Sequence, residues 1–220
     1  MNSLGTEMSL NLFAPATWSG QTAVEWEAAD YPGLRPTGSW VLDPEGKLHG
    51  LDPVGGGWRN RDTDACVDLS GRHLVLAYGS NPDPIKLLNR DGFFGGDTVI
   101  ALRAAVFGSA AVWCCTRRQR NKAVVATLVP HATRMEIHPV LALTPHQLHA
   151  MDDWEGHPTW YRRCAHEGPV LLESHRWAEQ VEVYLGTVEK RPPLIDTEGS
   201  EGFVLCAQVP HSVVDRMVPR

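Results

Sequence analysis

From residue 72 onward the chain is a succession of short apolar runs rich in β-branched residues, and that pattern leaves room for little but sheet. The runs are 73–78, 99–107, 110–115, 123–129, 136–143, 170–173, 181–185 and 203–209. Each has strand length and is bounded by turn-type residues. Two segments break the pattern and predict helices. One opens at Asp83-Pro84 and runs through Leu88; the other covers 145–154. The second carries its own start and stop. Thr144 is placed as N-cap, Pro145 takes the first helical position, and Gln147 can reach back to complete a capping box. Leu143 and Leu148 suit a hydrophobic staple, Leu148, Met151 and Trp154 make one apolar face, and Gly156 supplies the stop.

Residues 1–70 have a different character. They hold four of the eight tryptophans (Trp18, Trp26, Trp40 and Trp58) together with many glycines and prolines. The stretch 40–51 reads as a small hairpin whose centre, Asp43-Pro44-Glu45-Gly46, has turn chemistry. Gly55-Gly56-Gly57 reads as a flexible connection. It is not a phosphate loop, because neither a Lys-Ser/Thr pair nor a helix start follows it. The expected organisation is an extension, 1–70, packed on a main domain, 71–220. Within that domain the polar segment 187–202 reads as a surface excursion, though it is long enough for a lid.

Several classes of function are excluded at this level. The net charge is -6 and no basic stripe runs along the chain, so a nucleic-acid groove is not expected. The densest basic cluster, Arg117-Arg118-Gln119-Arg120-Asn121-Lys122, lies between two apolar runs and reads as a solvated hairpin tip. No apolar stretch approaches the roughly 20 residues that span a bilayer. The first thirteen residues lack a basic start and a long apolar core, so no secretion signal is expected. The five cysteines (Cys66, Cys114, Cys115, Cys164 and Cys206) are odd in number and form no C-x-x-C. Reduced thiols filling the core of a cytoplasmic protein are expected, with at most one of Cys114 and Cys115 facing inward. Ten histidines occur without matching cysteine or carboxylate spacing, so no metal site is expected.

Two features carry chemistry. Asp152, Asp153 and Glu155 crowd the C-terminal turn of the second predicted helix, where the macrodipole is negative. That placement should push at least one carboxylate pKa upward, as a general base working near neutrality needs. The bland alternative is that all three point into water. Separately, the apolar run ending at Tyr78 feeds Gly79-Ser80-Asn81-Pro82 and then a helix start with Asp83 as N-cap. A strand-loop-helix junction presents free backbone N–H groups to an anion, and glycine lets a ligand approach closely. The bland alternative is an ordinary turn. Ser80 lacks a Gly-x-Ser-x-Gly elbow, so its backbone matters more than its hydroxyl.

Taken together, the two features resemble the γ-glutamyl cyclotransferase-like superfamily, including its γ-glutamylamine cyclotransferase and AIG2-like members. The resemblance rests on Tyr78-Gly79-Ser80-Asn81 and on Asp152-Asp153-Trp154-Glu155-Gly156, followed by Tyr161-Arg162. It covers about residues 72–186, with weaker echoes at 123–130 and around Tyr184. The spacing from Glu155 to Tyr161 is most like the γ-glutamylamine branch, and the Ser-Asn loop is most like the glutathione and γ-glutamyl-amino-acid branches. Pro82 departs from the leucine common in the family and removes one N–H donor.

The resemblance implies an α+β fold, a small, mixed, mostly antiparallel β-barrel with few helices, here with an N-terminal extension. It implies a lyase-like intramolecular acyl transfer that releases 5-oxoproline and an amine from a γ-glutamyl amine or γ-glutamyl amino compound. Glu155 would be the general acid/base. Tyr78, Gly79, Ser80, Asn81 and Tyr161 would bind the substrate, without cofactor or metal. The rival reading is a non-catalytic binding module for a small carboxylate on the same fold.

Overall fold

The computed structural model describes residues 13, 21–22, 35–119, 121–197, 199 and 202–219. In chain order the strands are β1 (Gln21–Thr22), β2 (Ser39–Leu42), β3 (Lys47–Val54), β4 (Gly57–Asn60), β5 (His73–Leu76), β6 (Val99–Arg117), β7 (Val124–Leu143), β8 (Tyr161–Ala165), β9 (Val170–Leu172) and β10 (Glu182–Gly186). The helices are α1 (Pro84–Leu88), α2 (Pro145–Glu155) and α3 (His211–Met217).

All ten strands join one sheet in the order β1-β3-β2-β6-β7-β5-β10-β8, with β4 on β3 and β9 on β6. Among the described residues, only β5 and β10 run parallel. The expected barrel is not formed: the sheet is open, with β1 and β8 at its two ends. The reason lies in β6. One of its edges is filled by β7 over most of its length. The other, which a closing strand would need, is taken by β2 at residues 99–101 and by β9 at 104–106. Residues 39–60, inside the segment read as an extension, thus contribute three strands to the sheet.

The expected runs 99–107 and 110–115 are one strand, and so are 123–129 and 136–143. Gly108 adopts φ +78 and carries β6 through an irregularity that places Phe107 opposite Met135 and Ser109 opposite Pro130, so no turn is needed there. The run 203–209 makes only isolated bridges, Val112 with Leu205 and Ile195 with Phe203. Helix α3 has no counterpart in the sequence reading. The triple glycine is a tight turn rather than a flexible link: Val54 pairs with Gly57, and Gly55 and Gly56 both take positive φ, as a two-residue hairpin loop requires. The segment 187–202 is tied to the β6 edge, where Leu194 N–H donates to Trp113 O and Cys115 N–H to Pro192 O.

Side chains alternate between two cores. Val75, Ala77, Ala101, Leu141 and Leu143 face one side of the sheet, where Leu87 of α1 and Leu148 and Met151 of α2 cover them. Leu76, Tyr78, Ile100, Leu102, Val140 and Ala142 face the other, joined by Leu51, Trp58, Leu172 and Val183 from strands near both ends. Apolar groups are needed on both faces, so the strands read as continuous apolar runs. All five cysteines are free, but they do not all fill the core: Cys114 is buried, whereas Cys66 and Cys115 are exposed.

The two ends of helix α2 are built as its sequence predicts, but Trp154, read as part of its apolar face with Leu148 and Met151, is exposed, and Glu155 is buried in the last turn. Thr144 Oγ1 accepts from Gln147 N–H at 3.2 Å, and Gln147 Oε1 accepts from Thr144 N–H at 3.1 Å. Gly156 ends the helix in the left-handed conformation, φ 63 and ψ 41. The antiparallel pairing sets Leu143, just before α2, beside His73 at the start of β5. Eleven helical residues return about 16 Å, comparable to the roughly 13 Å of a four-residue strand. The end of α2 therefore arrives where β5 ends and its loop begins. No helix among the described residues is long and apolar enough to cross a membrane.

Candidate functional site

Tyr78, Gly79, Ser80, Asn81, Glu155 and Tyr161 line one cavity, with Arg118 and Tyr184 also in its wall. It is tight, about 20 Å³, and it adjoins a cleft of about 570 Å³ with which it shares Arg118, Glu155 and Tyr161. Among the described residues, no group of three or more His, Cys, Asp or Glu side chains is placed to hold a metal.

The loop is a set of unsatisfied donors. Among the described residues, the N–H groups of Gly79, Ser80 and Asn81 donate to no protein acceptor, although Ser80 is only 5% exposed. The ends of the loop are fixed: Ala77 N–H donates to Pro139 O at 2.9 Å, and Asp83 N–H to Ser80 O at 3.3 Å. Asp83 also caps α1 by accepting from Ile85 N–H. Helix α1 has only five residues, so the peptide N–H groups themselves, rather than a helix dipole, make this an anion cradle. Pro82 is buried and adds no donor to it.

Two arginines that stand in no recognisable motif hold the loop in place. Arg35 Nη2 donates to the carbonyls of Tyr78 (2.7 Å) and Gly79 (2.5 Å). Arg90 Nη2 donates to Asn81 Oδ1 at 3.0 Å, and its guanidinium lies 5.3 Å from the Phe93 ring centre and 4.2 Å from that of Trp154. Burial pushes the Arg90 pKa down to about 10, with the nearby Glu155 charge working against that. Among the described residues, Arg90 Nε is buried with no hydrogen-bond partner.

The three carboxylates at the end of α2 have three different fates. Asp153 is exposed and lies 4.0 Å from His149. Asp152 accepts from Arg163 Nε at 2.9 Å, Arg163 Nη2 at 3.2 Å and the Tyr184 hydroxyl at 2.7 Å. Burial raises the Asp152 pKa, but these partners outweigh it and hold the carboxyl below the usual range, opposite to the upward push expected from the helix dipole. Glu155 is 7% exposed, faces the cavity, and accepts no hydrogen bond and forms no ion pair among the described residues.

The aromatic walls are fixed by their hydroxyls. Tyr78 donates to Tyr184 O and Tyr161 donates to Ala126 O. The Tyr184 hydroxyl, buried and bonded to Asp152, has its pKa pushed up. In the segment after α2, the exposed Arg162 does not reach Asp152; Arg163 does.

No family model and no curated protein matches the chain. Among solved structures, it is similar to a γ-glutamyl cyclotransferase, with 17% identity, TM-score 0.43, and coverage of 53% of this chain and 67% of that one. It is also similar to an uncharacterized protein from Homo sapiens (19% identity, TM-score 0.42, 54% and 68% covered). A third is an AIG2-like protein from Mus musculus (19% identity, TM-score 0.38, 61% and 95% covered). The first and third bear names of the superfamily that the sequence resembles. None of these similarities assigns a role to any residue.

Proposed function

We propose that the cavity is the active site of a γ-glutamyl cyclotransferase-type enzyme that forms 5-oxoproline. The observation that carries this reading is the pairing of a buried carboxylate, Glu155, that accepts no hydrogen bond among the described residues with three loop N–H groups in the same cavity that donate to no acceptor among them. Such an arrangement suits a substrate with an ammonium at one point and a carboxylate or developing oxyanion at another.

In this mechanism Glu155 accepts a proton from the α-ammonium of the γ-glutamyl group. The freed amine attacks the γ-carbonyl carbon, and the N–H groups of Gly79, Ser80 and Asn81 hold the α-carboxylate or the oxyanion that forms. The C–N bond to the leaving amine breaks as Glu155 returns a proton to that nitrogen. One ammonium hydrogen stays on the ring nitrogen of 5-oxoproline. Of the two displaced, one travels through Glu155 and the other leaves with the amine as its ammonium. Ring closure is intramolecular, so holding the glutamyl chain folded supplies much of the rate. Tyr78 and Tyr161 wall the pocket, Asp152 and Arg163 set Tyr184, and Arg35 and Arg90 keep the donors aimed. Residues 1–70 act as an extension that supports the 71–220 domain, partly through Arg35.

The test is 5-oxoproline release from γ-glutamyl amines, γ-glutamyl amino acids and glutathione. Glu155→Gln keeps the side-chain volume and is expected to lower turnover by about 10²–10⁴ while circular dichroism and melting stay near wild type. Turnover retained in folded Glu155→Gln would refute Glu155 as the acid/base, and tight binding of glutamate or 5-oxoproline with no turnover by the wild type would refute the enzyme reading. The second result would leave a binding module.

A further inference from the structure

Next to the anion loop, a buried polar cluster interrupts the apolar face that carries Val140 and Ala142. Glu136 and His138 stand two apart on β7 and are 9% and 7% exposed. Glu136 Oε2 accepts from Ala111 N–H at 2.9 Å and lies 2.9 Å from His138 Nε2, and Glu136 Oε1 accepts from Arg134 Nε at 3.2 Å. Burial alone would raise the Glu136 pKa, but these donors hold the carboxyl below its usual range. A carboxylate only accepts, so His138 carries its proton on Nε2. Nδ1 is then a lone pair, and among the described residues it is buried with no hydrogen-bond partner.

The cluster adjoins the loop. Pairing of β5 with β7 sets Leu76 opposite Val140, and Ala77 N–H donates to Pro139 O. Continuing that register puts His138 opposite Tyr78. Arg35 holds the carbonyls of Tyr78 and Gly79 and is close enough for its charge to disfavour a charge on His138. Two other titratable groups face the pair. His166, after β8, bonds through both ring nitrogens, to Ser109 Oγ at 3.0 Å and to Gly168 O at 2.9 Å. Cys206 feels the charges of both Glu136 and Arg35, and burial keeps it a thiol.

We infer that the Glu136–His138 pair is an acid-sensitive latch on the loop: charging His138 drives Arg35 off the Tyr78 and Gly79 carbonyls and lets the loop N–H groups leave their places in the cavity. The latch itself stands on the contacts above; its effect on turnover rests on the cyclotransferase reading. A second proton on His138 puts an Nδ1–H where no acceptor stands and a positive charge near a guanidinium, both away from water. Glu136 is bonded on three sides, whereas Arg35 is half-buried and can swing toward solvent. Burial pushes the His138 pKa down, and the bond to Glu136 only partly opposes that. The folded value thus lies below the unfolded one. The latch contributes stability above the ordinary histidine value of about 6.5 and loses it as pH falls from there toward the folded value.

The experiment follows hydrogen exchange of the Ala77 and Asp83 amides from about pH 7.5 to about pH 5, corrected for the intrinsic pH dependence of exchange. Wild type, His138→Gln, His138→Asn and Arg35→Ala are compared. In wild type, protection of both amides should fall at least tenfold below about pH 6.5, while amides in the middle of β6 hold. Both His138 variants keep a neutral N–H near Glu136 and should show no step. Arg35→Ala should exchange fast throughout, also without a step. The His138 ring should titrate in the same window by NMR of the wild type, a readout that needs no variant to fold. A flat wild-type profile, a step that survives in a folded His138 variant, or one that survives in Arg35→Ala overturns the inference. Across the window, wild-type kcat/KM for 5-oxoproline release should fall at least threefold more than that of His138→Gln. Equal falls would overturn the link from latch to site. The predicted step in exchange, with no turnover at any pH, would uphold the latch and sink the enzyme reading.

Discussion

Removing Arg35 isolates the contribution of a segment far from the loop in sequence. One charged nitrogen donates to two loop carbonyls, those of Tyr78 and Gly79. Buried hydrogen bonds to charged groups contribute about 1.5–3 kcal/mol each. Both bonds here are only part-buried, so their combined contribution belongs at the low end, about 1.5 kcal/mol. If that stabilisation is spent on holding the donors in place, Arg35→Ala should lose about tenfold in kcat/KM for 5-oxoproline release. The amides of Ala77 and Asp83, which hydrogen-bond at the two ends of the loop, should exchange with solvent faster by a similar factor. Amides in the middle of β6 should not change. Arg35→Lys keeps the charge without the planar fork and should recover part of the loss. Full activity in Arg35→Ala, with unchanged exchange at Ala77 and Asp83, would show that the clamp contributes nothing to the loop.

Three further changes test the framework around Glu155. Thr144→Ala removes one half of the capping box and should destabilise the protein by about 1 kcal/mol, read by denaturant unfolding, with Thr144→Ser close to wild type. Gly156→Ala forces a side chain into φ 63 and puts Cβ 2.7 Å from Trp160 Cδ1; the backbone strain alone is about 1–2 kcal/mol. Because it also disturbs the turn beside Glu155, its loss of turnover should exceed that of Thr144→Ala. For Asp152, the folded-state pKa lies below the unfolded one, so its contribution to stability is present above the ordinary carboxyl value of about 3.9 and is lost as pH falls through the lower folded value. Asp152→Asn should therefore be less stable than wild type at neutral pH, with the gap narrowing below about pH 4; a gap independent of pH would refute the assignment.

What the sequence made legible was local. The capping box, the Gly156 stop, the Asp83 cap and the turn at 43–46 are each set by residues a few positions apart, and each stands in the structure as read. The apolar runs 73–78 and 181–185 also marked β5 and β10 to within two residues at each end. Closure of the sheet was not legible, because it depends on which distant strands reach the outer edge of β6 first, and β2 and β9 occupy it. The fate of the three carboxylates was half legible. Their crowding was plain, but Arg163 from β8 and Tyr184 from β10 decide that Asp152 is engaged and Glu155 is left to the cavity. Arg35, Arg90 and Arg118 gave no periodic or motif signal, since each acts through one contact or one placement that only the folded chain creates. Arg118 stood inside a basic cluster read as a solvated tip, a reading that fits the exposed Gln119, Asn121 and Lys122 but neither Arg118 nor Arg117, which is tied to Asp215.

The parallel pairing of β5 with β10 sets a schedule for the molecule. The hydroxyl of Tyr78 donates to the carbonyl of Tyr184 across a sequence separation of 106 residues. Contacts that distant form late, because a long loop must close before they return any stabilisation. Until β10 is synthesised and docked, β5 presents an open strand edge and the cavity lacks one wall. A growing chain therefore carries the loop and the Glu155 helix for some time without a site between them. The cavity is complete only with the pairing of β10, so any function it serves waits on completion of the sheet.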